Sequence, residues 1–189
     1  LPLMLSLEIT KRTEPRLLAA MAIHYSQPKG FVGRNICYAI THKNIYYGAI
    51  VGGSATRFLP GRDEFFDIPA AQKMHLLKHL VNNIFYHIEP GAGYPLRNFT
   101  TRVLTLFRQT VEVDWLAKYG DVVGGFESLV EFPRTGETYK RDGWVEVGQT
   151  KGFTCKRVAG KGTDNWSGKR VWNTDPSQLR PKRVFVRGI

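Results

Sequence analysis

The sequence predicts an α/β protein of the α+β kind, a mixed sheet flanked by helices and followed by a basic C-terminal extension. Three observations lead there. Apolar residues alternate as in strands over 3–9, 35–41, 45–51, 83–89 and 126–131. Helical stripes recur between these runs, the longest from Asn98 to Gly120, where Phe99, Val103, Leu104, Phe107, Val111 and Leu116 share a face. The order is then β-α-β-β-α-β-α-β-short α-β, and such alternation builds a sheet covered by helices. Thirdly, charge is concentrated at the C-terminal end. From 151 to 189 there are ten Lys or Arg against Asp164 and Asp175, a net +8 of the chain's +11.

A chain of 189 residues, 42% apolar and 12% aromatic, is long and hydrophobic enough for one globular core. We place that core at 1–152 and a basic, aromatic arm at 153–189. The charge asymmetry calls for a polyanionic partner. The arm also carries Phe153, Trp166, Trp172 and Phe185, which suits a binding surface better than a solvated tail. Its last apolar run, Val184 to Val186, is read as an added edge strand. Cys37 and Cys155 form neither a metal-ligand pattern nor a disulfide framework, so a reducing, cytoplasmic setting is expected, with Cys37 a small core residue. The opening Leu-Pro-Leu-Met-Leu-Ser-Leu has no basic n-region and is too short to span a membrane, so no membrane association is expected.

Taken in order, Thr13 caps the first helix, Pro15 sits in its first turn, and Leu17, Leu18, Met21 and Ala22 form its apolar face before it ends near His24-Tyr25. The runs 35–41 and 45–51 flank His42-Lys43-Asn44 as a hairpin. Gly52-Gly53-Ser54 follows without the Lys-Ser/Thr of a P-loop. Pro60 to Asp63 reads as a loop, and a second helix as running from Asp67 to about Val81. His75 and His79 lie four apart on it, as metal ligands would, but are read as solvent-facing opposite the Met74, Leu77, Leu80 stripe.

Two places carry candidate chemistry. The strand ending at Glu131 and the single turn bearing Tyr139 bring an acid and a phenol together at strand ends, where connections over a rigid scaffold carry function. Gly143 ends that turn so that the next strand can start. At the head of the longest helix, Arg97, Asn98, Thr100, Thr101 and Arg102 combine free backbone N–H groups with hydroxyls and cations, a natural anion site.

These residues also carry a resemblance. The element order and the closing Gly136-x-x-Tyr139-x-x-x-Gly143-Trp144-x-x-Val147-Gly148 resemble the GNAT-type acyltransferase fold. Within it, the chain is similar to the phage Mom DNA-modification proteins and to the Druantia DruA-type domain. The likeness covers roughly 23–152. It rests on His24-Tyr25, on Arg97 to Arg102, on Asp114-Trp115-x-x-x-Tyr119-Gly120, and on the stretch from Glu131 to Thr150. Glu131 stands where those families usually have Asp, and Asp142-Gly143 replaces the usual Ala/Ser-Asn. Glu89-Pro90-Gly91-Ala92-Gly93 occupies the region of the acetyl-CoA pyrophosphate signature, which argues against acetyl-CoA as the donor.

The resemblance implies a mostly antiparallel sheet and a transferase that moves a small acyl or carbamoylmethyl-like group to the exocyclic amine of a DNA base, adenine above all. It further implies an anti-restriction role for a bacteriophage or mobile element. His24, Tyr25, Glu131 and Tyr139 would be catalytic, and the helix start at 97–102 would hold the anionic group of an unidentified donor. Iron is the metal the resemblance suggests, with His24, Tyr25 and Glu131 as its N and O donors. The partner the resemblance implies is double-stranded DNA, whose phosphates would meet Lys151, Lys156, Arg157, Lys161, Lys169, Arg170, Lys182 and Arg183, with Trp166 and Trp172 stacking on bases. Two alternatives stand beside this. One is a non-catalytic DNA-binding module, which would keep binding without Glu131 and His24; the other is a GNAT-type acyltransferase for another amine.

Overall fold

The computed structural model describes residues 5–158, 169–173 and 175–189. The chain opens with strand β1 (Leu5–Thr10), helix α1 (Pro15–Ile23) and the hairpin β2 (Asn35–His42) and β3 (Ile45–Ser54). Lys43 and Asn44 both have positive φ, 50° and 62°, the two-residue turn whose twist matches paired strands. Next come two short helices, α2 (Pro60–Phe65) and α3 (Lys73–Leu76), then β4 (Leu80–Ile88) and the long α4 (Phe99–Tyr119). The rest is β5 (Gly125–Glu131), α5 (Glu137–Arg141), β6 (Val145–Gln149), the pair β7 (Thr154–Val158) and β8 (Lys169–Asn173), and β9 (Lys182–Gly188).

Seven strands form one sheet in the order β1-β2-β3-β4-β5-β9-β6, and β7 with β8 makes a separate ribbon. Among the described residues every pairing is antiparallel except β4 with β5. The mixed, mostly antiparallel sheet is thus as expected. Both faces are covered, and strand alternation shows it. Ile36, Tyr38, Ile40 and Ile50 pack with Phe99, Val103, Phe107 and Val111 of α4, while Cys37, Ala49 and Val51 pack with Leu17, Ala20 and Met21 of α1. Gly52 and Gly53 belong to this packing. A Cβ on Gly52 would meet Phe107 and Val111 at 3.2 Å, and one on Gly53 would meet Ile84 at 2.6 Å.

Within the helices, the α1 cap falls at Glu14 rather than Thr13, Leu18 and Ala22 are exposed while Ala20 is buried, and in α4 Trp115 is buried where Leu116 was expected. Two larger expectations are corrected. The run 184–186 lies inside the sheet, because β9 pairs with β5 on one side and β6 on the other. It is apolar at three consecutive positions because both its faces are buried: Val184 and Val186 against Leu59, Phe185 in the core under α4. A run of that kind marks an interior strand, not an alternating edge. The second correction concerns 60–81. Helix α2 begins at Pro60, which suits a first helical position. No long helix follows; Asp67 at φ 48° breaks the chain, and Leu80 already pairs with Gly125.

Helix α2 exists to bury a charge. Arg62 and Glu127 are both fully buried, and Arg62 Nη1 donates to Glu127 Oε2. Arg62 Nη2 donates to the Thr56 carbonyl at 2.7 Å, its Nε to Asp63 Oδ1 at 2.7 Å, and the Thr56 N–H donates to Glu127 Oε1. Such a pair is stabilising only while both partners stay satisfied. Glu127→Ala should therefore cost about 3–5 kcal/mol, read by urea unfolding. The double substitution Arg62→Met/Glu127→Leu should recover most of that loss; if it does not, the pair matters for more than charge compensation.

Candidate active site

The site is built by two parallel strands that stop pairing. Strands β4 and β5 are matched from Leu80–Gly125 to Asn83–Ser128 and no further, although β4 continues to Ile88 and β5 to Glu131. A register shift on the β3 side causes this: Gly52 faces Asn83 and Val51 faces Phe85, leaving Ile84 as an extra residue. Ile84 and Phe85 both pack toward α1, which is what one extra residue does to strand alternation. The bulge turns β4 away, and a cleft of about 500 Å³ opens between the strands.

Asn83 holds the parting point. Its Nδ2 donates to the carbonyls of Val51 (3.2 Å) and Phe85 (3.0 Å), and its Oδ1 accepts from Tyr139 Oη at 2.6 Å. Ser128 Oγ donates to the Asn83 carbonyl at 3.0 Å. Burial pushes the Tyr139 phenol far above its usual range, so it stays protonated. Tyr139 is carried by α5, which is pinned to α4 through Asp142. That carboxylate accepts from Arg108 Nε (2.8 Å), Thr105 Oγ1 (2.6 Å) and Trp144 Nε1 (2.8 Å).

All four residues expected to be catalytic, His24, Tyr25, Glu131 and Tyr139, line this cleft. His24 Nδ1 accepts the Ser26 backbone N–H at 3.2 Å and lies 2.8 Å from Ser26 Oγ. An acceptor nitrogen carries no hydrogen, so the ring proton is on Nε2. Burial, with His87 and Arg134 nearby, lowers the His24 pKa to about 4, so the imidazole is neutral at neutral pH. Arg134 lies 3.4 Å above the Tyr25 ring, tying the loop after α1 to the turn after β5. Burial raises the Tyr25 phenol despite that cation. Glu131 stands at the mouth, mostly buried, 3.8 Å from Arg180 Nη1.

The iron set does not fit. The His24 Nδ1 lone pair is already engaged by Ser26 and Tyr25 is a high-pKa phenol, and among the described residues no three His, Cys, Asp or Glu side chains are grouped to hold a metal. None of Arg97, Asn98, Thr100, Thr101 and Arg102 lines the 500 Å³ cleft. Asn98 is left-handed, φ 56°, with no side-chain cap bond, so the helix start is shaped by backbone geometry. Thr100 is the nearest link, its carbonyl accepting from Tyr86 Oη at 2.7 Å. Asn98, Thr101 and Arg102 face another cleft, beside His42 and Lys43.

A second cleft of about 770 Å³ shares Ser26, Leu129, Glu131 and Lys182 with the first. Its wall holds Phe58, Phe153 and Trp172, which are 70%, 43% and 57% exposed, together with Lys151, Arg180 and Lys182. Of the expected phosphate contacts, Lys151 and Lys182 are therefore here with Trp172. Arg183 is held internally, donating to Glu146 Oε1 at 2.8 Å and stacking on Phe132. Lys156, Arg157, Lys169 and Arg170 sit on the β7–β8 ribbon, and Lys161 and Trp166 lie outside the described residues. Sequence reasoning missed Ser26, Phe58, Asn83, Arg134 and Arg180. The one legible signal was Asn82-Asn83, polar residues inside an apolar strand.

No protein-family model and no curated protein matches the chain. Its fold is that of solved acetyltransferases. A Bacillus subtilis acetyltransferase in complex with CoA superposes at a TM-score of 0.57, 10% identical, over 98% of this chain and 99% of that one. A GNAT family acetyltransferase from Elizabethkingia anophelis with acetyl-CoA bound gives 0.52 at 9% identity, over 98% of each chain. No helix among the described residues is long and apolar enough to cross a membrane.

His24 makes stability depend on pH. Its folded pKa is depressed below the ordinary 6.5, so the unfolded chain takes up the proton first. This contribution is present above about pH 6.5 and is lost as pH falls toward about 4. The gap is worth roughly 3 kcal/mol at 1.36 kcal/mol per pH unit. His24→Asn, which keeps an acceptor for Ser26, should flatten the fall in unfolding free energy across that window; an unchanged slope would place it elsewhere.

Proposed function

We propose that the chain transfers an acyl group from a CoA-type thioester to an amine at the β4–β5 gap, and that the amine is the exocyclic amine of a DNA base. The observation that carries the first part is the gap itself, a parting of the two parallel strands in a fold shared with acetyltransferases solved with CoA and acetyl-CoA. Past Asn83 the β4 edge facing β5 has no strand partner among the described residues, which suits an extended amide-bearing arm. The start of α4 lies outside the cleft, so Arg97 and Arg102 would meet only the anionic end of a donor long enough to extend beyond the gap. Such a donor, when bound, supplies an acyl carbon activated toward amines.

The chain's own part is to place and deprotonate the amine. Glu131 lies where the two clefts meet and accepts a proton from the incoming nitrogen. His24, neutral with its proton on Nε2, is the donor toward the leaving group or the developing oxyanion, while Tyr139, whose one O–H is given to Asn83 Oδ1, positions the strand parting beside it. Arg134 over Tyr25 screens the reacting centre from water.

The second part is supported by the second cleft. Three exposed aromatic side chains beside three cations, opening onto one carboxylate, suit a flat heteroaromatic amine attached to phosphate. A base inside a duplex cannot reach Glu131, so it would be flipped out, with Phe58, Phe153 or Trp172 replacing its stacking.

Incubation with acetyl-CoA and duplex DNA, followed by mass spectrometry of the nucleosides, tests both parts. A new acylated nucleoside, absent with Glu131→Gln, is expected. Thiol release with small amines but unaltered nucleosides would keep acyl transfer and remove DNA; no thiol release with either would remove both. Duplex binding should weaken as salt rises, and Lys151→Ala or Arg180→Ala should each lower the log–log slope by about 1. These point variants replace removal of the arm, which would take away β9 from within the sheet.

A further inference from the structure

We infer that His75 and His79 form a binding site for a divalent transition-metal ion of the imidazole-preferring class, Zn²⁺, Ni²⁺ or Cu²⁺. Their rings lie with centroids 5.6 Å apart and planes inclined at 69°. Two imidazoles on one tetrahedral ion, at metal–nitrogen distances of about 2.0–2.1 Å, hold their centroids roughly 5 Å apart. A small rotation of one side chain closes the difference. His75 is exposed and free to make it.

The second ring is already oriented as a ligand. His79 Nδ1 lies 2.8 Å from the Val122 carbonyl oxygen. A carbonyl only accepts, so Nδ1 carries the hydrogen and Nε2 presents its lone pair. An N–H donated to a carbonyl is the arrangement that fixes tautomer and ring direction in ligating histidines. The four-residue spacing survives even though the helix does not, because α3 passes directly into a 3-10 turn at Leu77–His79. Imidazole donors favour Zn, Cu and Ni over harder ions. With two ligands from this chain, the remaining positions are open to water or to a donor from another molecule.

The site sits apart from the clefts. His79 immediately precedes β4, and its carbonyl accepts the Gly124 N–H at 2.7 Å just before β5. These are the starting ends of the two parallel strands, whereas the gap lies toward their finishing ends at Ile88 and Glu131. An ion there would be held within residues 75–79 and would not enter the acyl-transfer site, so the inference is independent of the proposed activity.

Calorimetric titration of the tag-free chain with zinc chloride, repeated with nickel chloride, tests it. One ion per chain is expected, with a melting temperature that rises on zinc addition. His75→Ala and His79→Ala should each weaken binding by roughly 10- to 100-fold, because each removes one arm of a chelate. His75 is exposed, so its variant retains the fold and decides the matter even if His79→Ala is destabilised. Undiminished affinity in His75→Ala, or no binding at millimolar zinc, overturns the site.

Discussion

The buried Arg62–Glu127 pair sets the layout of the open side of this molecule. Burying two charges is costly unless each is fully satisfied, and here Thr56, Asp63 and the pair itself supply the partners. Those partners come from the 56–63 segment and from β5, so the segment has one position in which the charges are paired. Helix α2 is thereby laid over Val184 and Val186 of β9, with Leu59 between them. Gly61 allows the approach to β6, since a side chain there would strike the Val147 carbonyl. Phe58 and Leu59 then form one wall of the second cleft.

The opposite face is organised by a different device. The bulge at Ile84 separates β4 from β5, and without support an unpaired stretch of sheet would collapse or recruit water. Asn83 prevents this by bridging β3, β4 and α5 through three side-chain hydrogen bonds. Burial alone would raise the Asp142 carboxyl, but bonds from Arg108, Thr105 and Trp144 bring it below the usual range, so α5 is clamped to α4 by a carboxylate that stays ionised. Rigid supports on both sides leave Glu131 at the junction of two clefts, reachable from each.

Much of this was legible in residue order. Period and spacing suffice for α4, whose stripe from Phe99 to Val111 is buried as expected although Trp115 and not Leu116 completes it, and for the β2–β3 hairpin, because Lys43-Asn44 tolerates two positive φ values. Glu131 and Tyr139 were expected together from element order, whereas His24 and Tyr25 entered only through the family resemblance; the structure lines one cleft with all four. Charge asymmetry was visible as a count, but a count does not say where a cation points. Arg183 proved to be held by Glu146, whereas Arg180 faces the second cleft.

What the sequence by itself determined was therefore the local and periodic part: the helices with long stripes, the strands with clean alternation, and the class of sheet they build. Tertiary structure decided the rest. Strand order placed β9 in the interior, where burial on both faces explains three adjacent apolar residues that alternation reads as an edge. A charged residue in a Pro-Gly segment became the centre of a buried pair because its partner lies 65 residues away. The gap itself arises from one extra residue in β4, a register effect that exists only between strands and leaves no periodic trace along one.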